Sequence, residues 1–260
     1  MRLKVERLAE QLTLVLSSWD SVECVSLNEH SEEDILDPYF ALVLDVYHRG
    51  EVPPSIQRRT AFAAAVGDPG AFESSIAQMK DRFFVEEVPV RVEYKEVAAV
   101  EELLDRGLGL LWVLKNSGTY MFYRLQHSRI LFRRSAWVDE VRTKLHDLPE
   151  GFWEGLREAF LAKMEHSLSD LGAAALRDDS FFYTVSAAGF VRYAAAVLFV
   201  MNHCFEPSHR AVDRQLRVLK LLPEDFLGRW ETLLRSDGSM SRSQQYKVAE
   251  LIARSILALR

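Results

Sequence analysis

Phe40-Ala41-Leu42-Val43-Leu44-Asp45-Val46-Tyr47 is the stretch on which the fold turns. Its β-branched, aliphatic and aromatic residues lie between Pro38 and the turn His48-Arg49-Gly50-Glu51, which reads as a strand. Period-two alternation sends Phe40, Leu42, Leu44 and Val46 to one face and Ala41, Val43, Asp45 and Tyr47 to the other. Asp45 is the odd member of an otherwise apolar strand.

On the N-terminal side, Val5, Leu8, Leu12, Val15 and Trp19 recur at helical spacing and predict a helix ending near Ser18. Val22 to Leu27 then reads as a short strand, and the acidic stretch Asn28 to Asp37 as a loop. On the C-terminal side, Pro53-Pro54 and Gly67-Asp68-Pro69-Gly70 bracket a short helix that starts at Ser55 and carries Arg58 and Arg59. A second helix is expected from Ala71 to Lys80, before Phe83-Phe84-Val85. Val90-Arg91-Val92-Glu93-Tyr94 is a strand with Val90, Val92 and Tyr94 inward and Glu93 facing the other way. A helix follows over Val97 to Asp105. The aromatic run Tyr120 to Leu125, the turn Gln126-His127-Ser128 and Arg129 to Phe132 then predict a hairpin.

Beyond Trp137 the stripes are helical, notably Trp153, Leu156, Phe160, Met164, Leu168 and Leu171. Pro149 and Pro223 fall where first helical turns begin, and Asp237-Gly238 breaks the chain before a last helix carrying Val248, Leu251, Ile252, Ile256 and Leu259. The expected class is therefore α+β, with a mixed α/β domain over 1–133 and an all-helical bundle domain over 134–260.

With 48% hydrophobic and 27% charged residues, the chain carries no disorder signature. Its formal net charge of -6 argues against nucleic acid as a general ligand, because phosphate backbones call for clustered Lys and Arg. Cys24 and Cys204 are distant and sit in apolar stretches, which fits reduced thiols and a cytoplasmic location. The charged start Arg2, Lys4, Glu6 and Arg7 leaves no room for a secretory h-region. Phe181 to Met201 is long and apolar enough to span a bilayer, but Arg192 at its middle favours a buried central helix with that arginine meeting a partner, and no membrane association. The histidines lack metal-ligand spacing, and no Walker A, G-x-S-x-G or G-x-G-x-x-G sequence occurs.

Asp45 and Glu93 are the carboxylates of interest, each on the non-core face of a strand. Neighbouring strands would let them share a divalent cation, and Mg²⁺ is commonly held by one or two carboxylates plus substrate phosphates, an arrangement suited to nucleotidyl transfer. The bland reading is that both face solvent on a half-exposed sheet. Arg58, Arg59, Arg129, Arg133 and Arg134 offer guanidinium forks for phosphates, or are ordinary surface charges.

The order of elements around Val22 to Leu27, Phe40 to Tyr47 and Val90 to Tyr94 resembles the nucleotidyltransferase superfamily, the polymerase-beta-like fold. Arg192-Tyr193-Ala194, Phe199-Val200-Met201-Asn202 and Phe205-Glu206-Pro207-Ser208-His209-Arg210 look like the helical region that follows that domain in some uncharacterised bacterial members. The resemblance implies that Asp45 and Glu93 serve as catalytic residues and Mg²⁺ ligands, with Ser26 and Arg129 at the nucleotide. It implies a nucleotide and an unknown acceptor as ligands, received in a cleft between the halves, and transfer of a nucleoside monophosphate. The chain departs from the family pattern at two points. Val43 stands where the first Asp of Asp-x-Asp belongs, and Ser26-Leu27-Asn28-Glu29 contains no Gly-Ser. Asp37 is the candidate to substitute for that ligand by loop placement, although nothing in the spacing demands it. The alternative is a catalytically degenerate protein of this fold that binds a ligand or a protein partner.

Overall fold

The computed structural model describes residues 2–28, 40–75, 79–105, 111–235 and 238–259. Contacts gather these into two units, one of residues 1–106 with 122–147 and one of 107–121 with 148–260.

The first unit is built on a six-stranded mixed sheet. Its elements are α1 (Arg2–Ser17), β1 (Val22–Leu27), β2 (Leu42–His48), α2 (Ser55–Val66), β3 (Gly70–Ser75), β4 (Lys80–Val85), β5 (Val88–Glu96) and α3 (Val97–Asp105). After α4 (Leu111–Ser117), which belongs to the second unit, come α5 (Tyr120–His127), β6 (Arg129–Arg133) and α6 (Trp137–His146). The strand order is β3-β4-β5-β2-β1-β6. The central pair β2 and β5 runs parallel and every other pair antiparallel.

Alternation in β2 and β5 decides which face becomes the core. Leu42, Leu44, Val46, Val90, Val92 and Tyr94 join Leu8, Leu12 and Leu16 of α1 and Phe62 of α2 in one buried cluster. Each aliphatic side chain so buried contributes about 1.5–3 kcal/mol. A polar group also lies on this face. Asp81 of β4, fully buried, accepts from Arg58 Nε at 2.7 Å and Nη2 at 2.8 Å and from the Tyr94 hydroxyl at 2.8 Å. Arg58 and Asp81 thus form an internal ion pair tying α2 to the sheet.

Two sequence expectations are corrected. The helix expected from Ala71 to Lys80 is replaced by β3 and the start of β4, with residues 76–78 outside the described ones. In β4, burial alternates so that Asp81 and Phe83 point inward and Arg82 and Phe84 outward. Pairing on both sides, with β3 and β5, outweighs the helical preference of this segment. The expected hairpin is a helix followed by a single strand: Phe122, Arg124 and Leu125 are the buried positions of α5, and only Arg129–Arg133 pairs, with β1. Gly118, at φ 77°, accommodates the turn between α4 and α5.

The second unit is helical. Its long members are α7 (Glu150–Arg177) and α8 (Ser180–Met201), followed by α9 (Val212–Leu216), α10 (Phe226–Leu234) and α11 (Arg242–Leu257). Asp178 turns left-handed at the end of α7, and the Asp179 carboxylate caps α8 by accepting from Phe182 N at 2.9 Å. Gly189 brings α8 close to α7, since a Cβ there would lie 2.9 Å from Ser167 Oγ. By length and composition α8 is apolar enough to cross a membrane, and half of its apolar window is buried inside the structure. Its C-terminal half, Ala194 to Val200, is buried, whereas Phe181 is 80% exposed. Arg192 is exposed, its guanidinium 5.5 Å from the centroid of the Tyr193 ring. Its long stem lets the charge remain in water.

Candidate functional site

Register brings the two chosen carboxylates side by side. Asp45 of β2 is the direct partner of Glu93 of β5 in the parallel pair. The same row continues to Ser26 and Ile130 on one side and Lys80 on the other. Directly paired residues share a face, so Ser26, Asp45, Glu93 and Lys80 project from the face opposite the apolar core.

That face is covered rather than open at Asp45, which is fully buried. Arg124 of α5 lies across both carboxylates. Its Nε donates to Asp45 Oδ2 at 2.8 Å, its Nη2 to Asp45 Oδ1, and its Nη1 to Glu93 Oε2 at 2.8 Å. Lys95, two residues along β5 and therefore on the same face, reaches Asp45 Oδ1 at 2.9 Å, and Lys80 reaches Glu93 Oε1 at 3.2 Å. Two carboxylates are held by three cations. Tyr47 and Trp137 close the next row, with ring centroids 5.2 Å apart and Lys95 Nζ 5.6 Å from the Tyr47 centroid.

Burial alone would raise the Glu93 carboxyl, but the charges of Arg124, Lys95 and Lys80 outweigh it and hold the group down at about 2. Burial pulls Lys95 below the ordinary lysine range, against the Asp45 charge. Tyr47 is pushed well up by burial and by Asp45. The bidentate Arg124–Asp45 fork is the strong form of charge-assisted bond, and a charge this deep persists only with such partners.

These donors do not suit Mg²⁺. A hard cation calls for several oxygen ligands, while Asp45 and Glu93 already accept from guanidinium and ammonium groups that repel a second cation. Among the described residues no three of His, Cys, Asp and Glu converge as ligands. Asp37 lies outside the described residues.

Ser26 sits in the row beside Asp45, buried, its hydroxyl without a hydrogen-bond partner among the described residues. Arg129, exposed at the start of β6, pairs with Leu27, one step out of that row, and so lies on the other face of the sheet. The remaining arginines have structural work: Arg133 pairs with Asp139, and Arg134 donates to the backbone oxygens of Val22, Ser17 and Trp19. Arg59 stands 3.5 Å from Asp68 on the surface.

Sequence reasoning missed Lys80, Lys95 and Arg124. Lys95 was legible as the i+2 neighbour of Glu93 in the same strand. Arg124 was hidden by an aromatic run that reads as a strand.

Among solved structures the chain is similar to a nucleotidyltransferase-like protein from Exiguobacterium sibiricum, with a TM-score of 0.51 and 14% identity over 95% of this chain and 74% of that one. The chain has a nucleotidyltransferase-like fold. At this identity the likeness concerns the fold alone. No protein-family model matches the sequence, and no curated protein does.

Proposed function

We propose that this chain is a nucleotidyltransferase-fold protein that binds a ligand or protein partner without transferring a nucleotide, its carboxylate pair being held by Arg124 in place of a divalent cation. One observation carries the reading: the Arg124 guanidinium spans Asp45 and Glu93, donating to both. In a transferase of this fold those carboxylates would position Mg²⁺, which would neutralise charge on the reacting phosphate. Here their charge is spent on Arg124, Lys95 and Lys80. Val43, in place of a further carboxylate on the same strand face, agrees with that assignment.

An active transferase, with Asp45 and Glu93 as its metal ligands, is the competing reading, and their side-by-side register favours it. The test is transfer of label from each α-labelled nucleoside triphosphate to a panel of small-molecule, nucleic-acid and protein acceptors, with Mg²⁺ or Mn²⁺. The expected result is no transfer above that of Asp45→Asn. Robust metal-dependent transfer that disappears in Asp45→Asn and Glu93→Gln would establish the competing reading.

A further inference from the structure

One row away from the carboxylates, the same face of the sheet carries two arginines in direct opposition. Arg82 of β4 is the register partner of Arg91 of β5, and Arg91 is in turn the partner of Val43. Because Lys80 and Glu93 lie two residues away along the same strands, Arg82 and Arg91 share their face. Opposed residues of an antiparallel pair stand roughly 4.5–5.5 Å apart at Cβ, and like charges so placed destabilise the pair.

Among the described residues neither Arg82 nor Arg91 makes a side-chain hydrogen bond or an ion pair, in contrast to Lys80, Lys95 and Arg124 nearby. Glu73 is the partner of Arg82 on β3, but it is exposed and no ion pair joins the two. The arginines line a cavity of about 190 Å³ together with Glu73, Phe84 and Pro89. At ~30 Å³ for each water-sized volume, that space holds roughly six such volumes, room for a phosphate group rather than a whole nucleotide. Phe84, two residues beyond Arg82 on the same face, is 46% exposed at the cavity wall and offers its ring to the organic part of an ester.

We infer that Arg82 and Arg91 form a metal-independent site for the phosphate of a soluble phosphate monoester, whose apolar or planar part lies against Phe84. Two guanidinium forks present paired donors to phosphate oxygens, and the dianion removes their mutual repulsion. The inference extends the reading of a non-transferring, ligand-binding protein by naming a ligand class, and it stands on residues other than the carboxylate cluster.

Calorimetric titration of the full chain in EDTA at low salt tests it, using adenosine monophosphate, inorganic phosphate and adenosine as probes. Adenosine monophosphate should bind more tightly than phosphate, and adenosine at least tenfold more weakly than its monophosphate. Arg82→Gln and Arg91→Gln should each weaken the monophosphate at least tenfold, and Phe84→Ala should bring it to the level of phosphate. A second readout comes without ligand: each arginine variant should melt at or above the wild type, because a repulsion has been removed. Absence of phosphate and monophosphate binding, equal binding by the arginine variants, or a lower melting temperature of both in the absence of ligand would overturn the site. Binding only to vesicles containing phosphatidic acid would move the phosphate to a lipid and overturn the soluble ester. Nucleotide transfer, tested separately, bears on the carboxylates and leaves this outcome distinguishable.

Discussion

Replacing Arg124 by Met keeps much of the side-chain volume and removes the charge that joins Asp45 to Glu93. Three charge-assisted hydrogen bonds disappear, two to a carboxylate with no exposed surface. Breaking a buried ion pair from one side costs about 3–5 kcal/mol. The low end applies here, because Asp45 retains Lys95 at 2.9 Å and Glu93 retains Lys80 at 3.2 Å. A loss of about 3 kcal/mol is a large part of the ~5–15 kcal/mol that holds a domain folded, and lowers the melting temperature by about 6–12 °C. The acid limb supplies an independent check. With its carboxyl depressed to about 2, Glu93 contributes stability that is fully present above the unfolded value near 4.5 and lost as pH falls through about 2. At about 1.4 kcal/mol for each pH unit between those values, the wild type should lose about 3 kcal/mol from this group between roughly pH 5 and 2. Urea denaturation at pH 7 and at steps down to pH 2 measures both quantities. In Arg124→Met the midpoint should fall at pH 7 and the dependence on acid should flatten, since the main cation acting on Glu93 is gone. A variant within ~1 kcal/mol of the wild type, with an unchanged acid limb, would refute the reasoning.

Asp45→Asn should cost ~3–5 kcal/mol by leaving Arg124 and Lys95 without their shared carboxylate, and the double variant with Arg124→Met should cost less than the sum by ~0.5–3 kcal/mol in a denaturation cycle. Tyr94→Phe removes the 2.8 Å hydroxyl bond to buried Asp81 and should lower stability by ~1.5–3 kcal/mol in the same assay. Gly189→Ala places a Cβ 2.9 Å from Ser167 Oγ, a contact that opposes the ~0.5–1 kcal/mol helix gain of Ala over Gly, so the double variant with Ser167→Ala should melt above Gly189→Ala alone. Burial pushes the Cys24 thiol up to about 12, so iodoacetamide at pH 8 should leave Cys24 unlabelled in the folded protein, while partly exposed Cys204 reacts first.

The sheet centre was readable because both strands are rich in β-branched, aliphatic and aromatic residues and each carries one carboxylate out of phase with its core-facing positions. Asp45 and Glu93 fall at matching points of Phe40 to Tyr47 and Val90 to Tyr94, and the register places them opposite each other. Alternation also told which face they take. It could not tell what covers that face, because the covering residue is 79 positions from Asp45. The run Tyr120 to Leu125 is rich in residues of high strand preference, yet its Phe122 and Leu125 serve equally as one face of a helix. Between Gly70 and Val85, the pairing of β4 with β3 and β5 decides the strands, and a single-chain pattern does not contain that information. The apolar stretch Phe181 to Met201 reads as buried throughout, whereas its N-terminal half buries Ser186 and Phe190 but leaves Phe181 and Val185 exposed.

Manganese titration by electron paramagnetic resonance, with a non-hydrolysable nucleoside triphosphate present, tests most directly whether Arg124 stands in for a metal between Asp45 and Glu93. The wild type should show no Mn²⁺ signal that differs from that of Asp45→Asn and Glu93→Gln. One tightly held Mn²⁺ per chain in the wild type, lost in both variants, would contradict the account and return the carboxylates to a catalytic role.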